Sequence, residues 1–146
     1  LLEPTVIEAL YEASCAGVKI DLIVRGVCAL RPGVIGMSEN IRVRSIIGRF
    51  LEHSRVFYFF NGGKKDVWLS SADWMDRNLF RRVEIAFPVR DRKLKERVID
   101  EAIDVHLRDN ANTWIMDGEG HYQRKRTRSK RFVSQQVLIA RVSGES

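Results

Sequence analysis

The chain opens on the order helix, glycine, strand, which restricts the architectures open to it. Pro4 suits the first turn of a helix, Val6, Ile7, Leu10 and Ala13 recur at helical spacing, and Gly17 stands where a left-handed residue ends one. The spacing predicts a helix over Pro4 to Ala16. Val18 to Val24 (VKIDLIV) then alternates before turning fully apolar, as a strand does on passing from the edge into the middle of a sheet. Helix, glycine and strand form half of a βαβ unit, so a parallel pairing is expected, with a first strand of the sheet preceding Leu1. The expected class is α/β.

The segment from Arg25 to about Asn40 holds Pro32, Gly33 and Gly36 and reads as a long loop at the carboxyl end of the sheet, where open α/β sheets bind ligands. Ile41 to Ile47 alternates like a strand, while Phe50, Leu51 and Glu52 fit strand or helix. Arg55 to Phe60 (RVFYFF), Asn61 to Lys64 and Asp66 to Ser70 (DVWLS) read as strand, turn and returning strand. Asp73 to Arg82 is expected as a loop or short helix, and Val83 to Val89 as another strand. Asp91 caps a long helix with Leu94, Val98, Ala102 and Val105 as its apolar stripe, ending before Asp109 and Asn110. A short strand over Thr113 to Met116, a turn, a basic run and a helix over Val133 to Val142 complete the reading.

At 146 residues the chain can bury roughly two thirds of its unfolded surface without a metal or disulfide staple. Its two cysteines, Cys15 and Cys28, lack metal-ligand spacing and point to a reducing compartment. No apolar run reaches the roughly 18 residues of a membrane span, so a soluble chain is expected. With no leader before Leu1, it reads as part of a longer protein.

Lys and Arg number 25 against 19 Asp and Glu, a net charge of +6. Six of the basic residues (Arg124, Lys125, Arg126, Arg128, Lys130 and Arg131) lie in one stretch, which carries the whole excess. There are 18 Arg to 7 Lys. That bias suits phosphate, since a guanidinium donates parallel hydrogen bonds and stays charged at any working pH; exposed surface arginine is the ordinary alternative.

Arg42, Arg44, Arg49 and Arg55 surround His53 within 14 residues, with Arg25 nearby if its strand ends beside them. This is the densest candidate for a polyanion site; the alternative is a solvated strand face with Glu39 and Glu52 as ion-pair partners. In extended chain His53 and Arg55 share a face and can meet one phosphate. Imidazole, with an ordinary pKa of roughly 6.5, is the side chain able to give or take a proton near neutrality. His106 and His121 are lesser candidates. Ser70 and Ser71 offer hydroxyls, Arg81 and Arg82 further guanidinium groups, and Glu84 a carboxylate able to orient an imidazole or pair with arginine. P-loop, dinucleotide-binding, zincin and hydrolase-elbow motifs are absent from the sequence.

Taken together, LIVRG at Leu22 to Gly26, IRVRS at Ile41 to Ser45, GRFLEHSR at Gly48 to Arg55, NGG at Asn61 to Gly63, LSSADWM at Leu69 to Met75 and RRVEI at Arg81 to Ile85 resemble the last domain of the bacterial polyphosphate kinases. The resemblance runs in order through essentially the whole chain. It implies a phospholipase-D-like mixed sheet flanked by helices, with the start of the domain missing and residues 1–146 forming one partial C-terminal catalytic domain. It implies reversible transfer of the terminal phosphoryl group of ATP to inorganic polyphosphate, with Mg2+, through a phosphohistidine in the preceding domain. Carried over residue by residue, Arg25 matches an arginine that binds nucleotide phosphates, and His53 the second active-site histidine, which contacts ATP. Glu84 matches an acidic residue beside that histidine, Arg82 lies in the same motif, and Arg55 follows His53 onto the phosphate. A protonated imidazole would stabilise or protonate the leaving oxygen.

The implied partners are ATP or ADP, polyphosphate, the preceding domains and further copies in a homo-oligomer, with no specific nucleic acid. The implied location is the cytoplasm, with peripheral association at a membrane. A phospholipase-D motif would read H-x-K with Asp five positions on; here Arg55 and Phe60 occupy those places, which disfavours diester hydrolysis. The rival readings are a polyanion- or RNA-binding module built on the basic run, and a phosphodiesterase of the phospholipase-D class.

Overall fold

The computed structural model describes residues 1–144. Its elements are α1 (Pro4–Cys15), β1 (Ile20–Ile23), β2 (Ile41–Ile46), β3 (Val56–Phe59), β4 (Asp66–Ser70), α2 (Asp76–Phe80), β5 (Ala86–Pro88), α3 (Arg92–Val98), a π-helical segment (Ile99–Asp104), α4 (Val105–Arg108), β6 (Thr113–Met116), β7 (Tyr122–Arg124) and α5 (Ser134–Ser143). Two sheets form, one ordered β1-β2-β6-β7 and the other β3-β4-β5. β1 and β2 are parallel, pairing Ile20 with Ile41 and Leu22 with Val43, and every other pairing is antiparallel. The architecture is therefore a mixed α/β one, as expected.

Local chemistry sets the element boundaries. Pro4 occupies the first turn of α1, and the carboxylate of Glu3 accepts from the Val6 amide at 2.7 Å, satisfying an N–H that the helix cannot. Gly17, at φ +85°, turns the chain toward β1. Leu30, Ile41, Val43 and Met116 form the buried cluster of the larger sheet, and Ile7, Leu10 and Tyr11 of α1 cover it. Ile41 and Val43 are buried while Arg42 between them is exposed, so the alternation of β2 does report its two faces. The hairpin β3–β4 turns through Asn61–Gly63, where Gly62 and Gly63 both take positive φ.

The crossover between the parallel strands is the long loop expected: residues 24–40 are turns and extended chain, and α1 covers the sheet from before β1. Three features depart from the sequence reading. Residues 47–55 are neither helix nor strand, because the chain there is leaving one sheet for the other. The last strand of the smaller sheet is only Ala86–Pro88; Val83 is fully exposed and has no strand beside it. Tyr122–Arg124, at the head of the basic run, pairs with β6 as an edge strand.

Asp91 caps the long helix, accepting from Leu94 N at 2.9 Å. The helix widens to π geometry over Ile99–Asp104, which shifts its stripe: Val105 is completely buried, Leu94 exposed. Asp109, completely buried at the end of α4, ties this helix to β6 and α5. Its Oδ1 accepts from the amides of Ala111 and Asn112 at 3.0 and 2.7 Å, and its Oδ2 from the amide and hydroxyl of Ser134 at 2.8 and 2.9 Å. Burial alone pushes this carboxyl up, but the donors from Ser134, Asn112 and Ala111 outweigh it and hold the group below the usual carboxylate range.

The first residues strap two loops together. The carbonyl of Leu1 accepts from Ala29 N at 2.9 Å, and the amides of Leu2 and Glu3 donate to the carbonyl of Trp74 at 2.8 and 3.2 Å. Among the described residues, no helix is long and apolar enough to cross a membrane.

Candidate functional site

Arg25 follows the carboxyl end of β1, His53 lies in the connector between the two sheets, and Arg55 immediately precedes β3. The mixed topology brings all three together. Arg25 Nη1 donates to His53 Nδ1 at 2.8 Å and to the carbonyl of Glu52 at 2.9 Å. Arg55 Nη1 lies 3.4 Å from His53 Nε2. A guanidinium has donors but no acceptor, so each arginine turns N–H groups toward one edge of the ring.

Arg55 is held from behind. Its Nε donates to Asp73 Oδ1 at 2.8 Å and its Nη2 to Asp73 Oδ2 at 3.3 Å, the two-pronged geometry that suits a guanidinium and a carboxylate. The hydrogen bond from Arg55 is the main cause that keeps the Asp73 carboxyl below its ordinary range, and Asp73 in turn raises Arg55. The fork leaves Nη1 free of the carboxylate and directed toward the histidine.

Glu84 lies within electrostatic reach of Arg55 and is held by its own neighbours. One of its oxygens accepts from the hydroxyl of Ser71, the other from Asn78 Nδ2 at 2.7 Å, and those bonds hold its carboxyl below the usual range. With both oxygens engaged it makes no hydrogen bond to His53, whose partners are the two arginines. Glu84 instead fixes the entry to β5: the same Ser71 hydroxyl accepts from Ile85 N at 3.1 Å. Arg82 is exposed beside it and contributes to lowering its carboxyl.

Of the other arginines clustered in sequence, Arg44 pairs with Asp21 at 2.8 Å and donates to the Leu107 carbonyl at 3.0 Å, while Arg49 lies over the Phe50 ring. Glu52, expected as an arginine's ion-pair partner, takes Gln135 Nε2 at 2.7 Å and lies 3.3 Å from Nε2 of buried His106. His121 is exposed, 3.8 Å from Asp117. Sequence reasoning passed over Asp73 as a holder of Arg55 and missed Gln135 entirely.

A cleft of about 340 Å³ opens at the site, lined by His53, Arg55 and Ser70 on one side and by Glu101 and Ala102 of the π-helical segment on the other. Val56, Leu69, Val98 and Ala102 make much of its wall apolar, and His53, Arg55 and Ser70 supply the donors that could meet phosphate oxygens. It does not fit magnesium: Asp73 and Glu84 are already committed to protein donors, and no cluster of three His, Cys, Asp or Glu side chains suited to a metal occurs among the described residues.

Comparison with known proteins gives consistent results. The family model described as polyphosphate kinase C-terminal domain 2 matches residues 1–136. A polyphosphate kinase of Burkholderia cenocepacia is 72% identical over 127 residues, which is 87% of this chain and 18% of that protein. One from Paraburkholderia phytofirmans is 62% identical over 141 residues, 97% of this chain and 20% of that protein. The crystal structure of polyphosphate kinase from Porphyromonas gingivalis superposes with a TM-score of 0.93 at 43% identity, covering 99% of this chain and 22% of that one. The chain thus spans about a fifth of the length of these relatives.

Proposed function

Since the chain belongs to the polyphosphate kinase C-terminal domain family, we propose that it supplies the phosphate-gripping part of a kinase that moves the terminal phosphoryl group of ATP reversibly onto inorganic polyphosphate. The observation that carries this reading is the convergence of Arg25 and Arg55 on the two ring nitrogens of His53, at 2.8 and 3.4 Å.

Phosphoryl transfer asks a protein mainly for positioning and for relief of negative charge on the transferring group and its neighbours. Arg25 binds nucleotide phosphates from the end of β1. Arg55, steadied by Asp73, presents Nη1 to the same oxygens, and Arg82 adds charge at the rim. His53 donates a hydrogen bond to the phosphate oxygen on which charge builds, while Arg25 on Nδ1 fixes the orientation of the ring. Glu84 acts by fixing the approach to β5, one step removed from the ring. The histidine that carries the phosphoryl group in transit lies in the part of the kinase preceding this chain, so residues 1–146 alone have no turnover. The enzyme works in the cytoplasm as a homo-oligomer and meets membranes peripherally.

The test is His53→Ala in the full-length kinase. Polymer synthesis from ATP should fall by at least about a hundredfold, the loss expected when one preorganised donor to a developing oxyanion is removed. Near-normal turnover in a protein of unchanged melting temperature would refute the reading.

A further inference from the structure

Gln135 stands 82 residues from His53 in sequence, yet it holds the segment that ends on that histidine. Its carboxamide faces the connector at three points: Oε1 accepts from Phe50 N at 3.0 Å, and Nε2 donates to the Phe50 carbonyl at 2.8 Å and to Glu52 Oε1 at 2.7 Å. The first two bonds pair the side chain with a single residue's backbone as a neighbouring strand would, in a stretch that has no strand beside it. Gln135 is 7% exposed, so its own carboxamide is largely shielded from water, where an unmade bond is costly.

The clamped residues lead directly to the site. Glu52 carries the carbonyl that receives Arg25 Nη1 at 2.9 Å, and the same nitrogen reaches His53 Nδ1. Fixing Phe50 and Glu52 therefore sets where the guanidinium and the imidazole meet. Gly48 has the matching adaptation. Its φ lies outside the left-handed region, so its backbone does not demand glycine, but a Cβ there would sit 2.7 Å from Gln135 Cδ and closer still to Oε1. Space for the carboxamide is what that glycine provides.

We propose that Gln135 is a positioning residue for phosphoryl transfer, acting through the Phe50–Glu52 backbone on Arg25 and His53, and that Gly48 exists to admit its side chain. This rests on the role of His53 proposed above. The experiment is a double-mutant cycle in the full-length kinase, with Gly48→Ala, Gln135→Ala, their combination and His53→Ala, reading kcat and KM for ATP beside the melting temperature. Each single variant should lower kcat/KM about tenfold or more, with KM for ATP raised because Arg25 loses its seat. The double variant should be no worse than Gln135→Ala, since the added methyl then enters vacated space.

Multiplying losses in the double variant, or wild-type kinetics in Gln135→Ala, would overturn the positioning role while an inactive His53→Ala left the wider reading standing. Wild-type turnover in His53→Ala would remove the premise itself. Because the three atoms nearest a Cβ at Gly48 all belong to the Gln135 carboxamide, the effect of Gly48→Ala reads the clamp even if Gln135→Ala melts early.

Discussion

Replacing Asp109 with Ala should cost this chain about 4 kcal/mol, and the sum follows from the donors left behind. Three backbone amides lose their acceptor: those of Ala111 and Asn112, in half-buried positions, and that of Ser134, which is fully buried. A buried unpaired donor costs about 1–3 kcal/mol, so about 1 for each half-buried amide and about 2 for Ser134 gives about 4. The hydroxyl of Thr113 keeps the Asp109 carbonyl at 2.8 Å and adds little. Asp109→Asn should cost about half as much, because the amide retains one acceptor oxygen and turns an NH2 toward the other set of donors.

Urea unfolding of the 146-residue chain, followed by tryptophan fluorescence, measures this. With a slope near 2 kcal/mol/M, the midpoint should fall by about 2 M for the alanine variant and about 1 M for asparagine. Acid provides a second arm. Asp109 has a folded pKa below its unfolded one, so its stabilisation is complete above pH of about 4 and is lost as pH falls through the folded value. Wild-type stability should therefore drop below about pH 4 more steeply than that of Asp109→Ala. A midpoint shift under about 0.3 M, or parallel acid profiles, would refute the accounting.

Two further outcomes bear on the site. Asp73→Asn in the full-length kinase should lower kcat/KM roughly tenfold, about 1.4 kcal/mol, because one acceptor oxygen cannot hold both prongs of Arg55; unchanged kinetics would mean that the fork does not position it. Neutralising Lys125, Arg126, Arg128, Lys130 and Arg131, while keeping Arg124 for its 2.9 Å bond to the Ala111 carbonyl, tests whether the basic run grips polymer. Binding of long-chain polyphosphate should lose salt dependence, its log–log slope becoming shallower by about three, and an unchanged slope would assign the run no such role.

Local signals carried most of the elements, because capping and turn chemistry act within four or five residues. Pro4 and Gly17 bracket α1, Asp91 caps the long helix, and the glycines at 62 and 63 take the positive φ that the hairpin needs. What failed depended on partners distant in sequence. Arg42, Arg44, Arg49 and Arg55 look like one cluster, but Asp21 and Leu107 claim Arg44, while Arg25, just past β1, reaches His53 as expected. That Ser71 and Asn78 bond the two oxygens of Glu84 is likewise invisible in sequence. The π-helical stretch leaves no compositional trace, and the edge pairing of Tyr122–Arg124 is hidden by its charge. Gln135 sits 85 residues from Phe50, and a single carboxamide has no periodicity to reveal what it will bind.

The strap at the beginning of the chain has a mechanical consequence. Leu1 grips the loop that follows Arg25, and Leu2 and Glu3 grip the carbonyl next to Asp73, the anchor of Arg55. Three residues thus act as a yoke across the two arginine-bearing loops. Backbone hydrogen bonds from one short stretch thus tie the loop after Arg25 to the loop that carries Asp73, so the two arginines are braced against a shared piece of main chain.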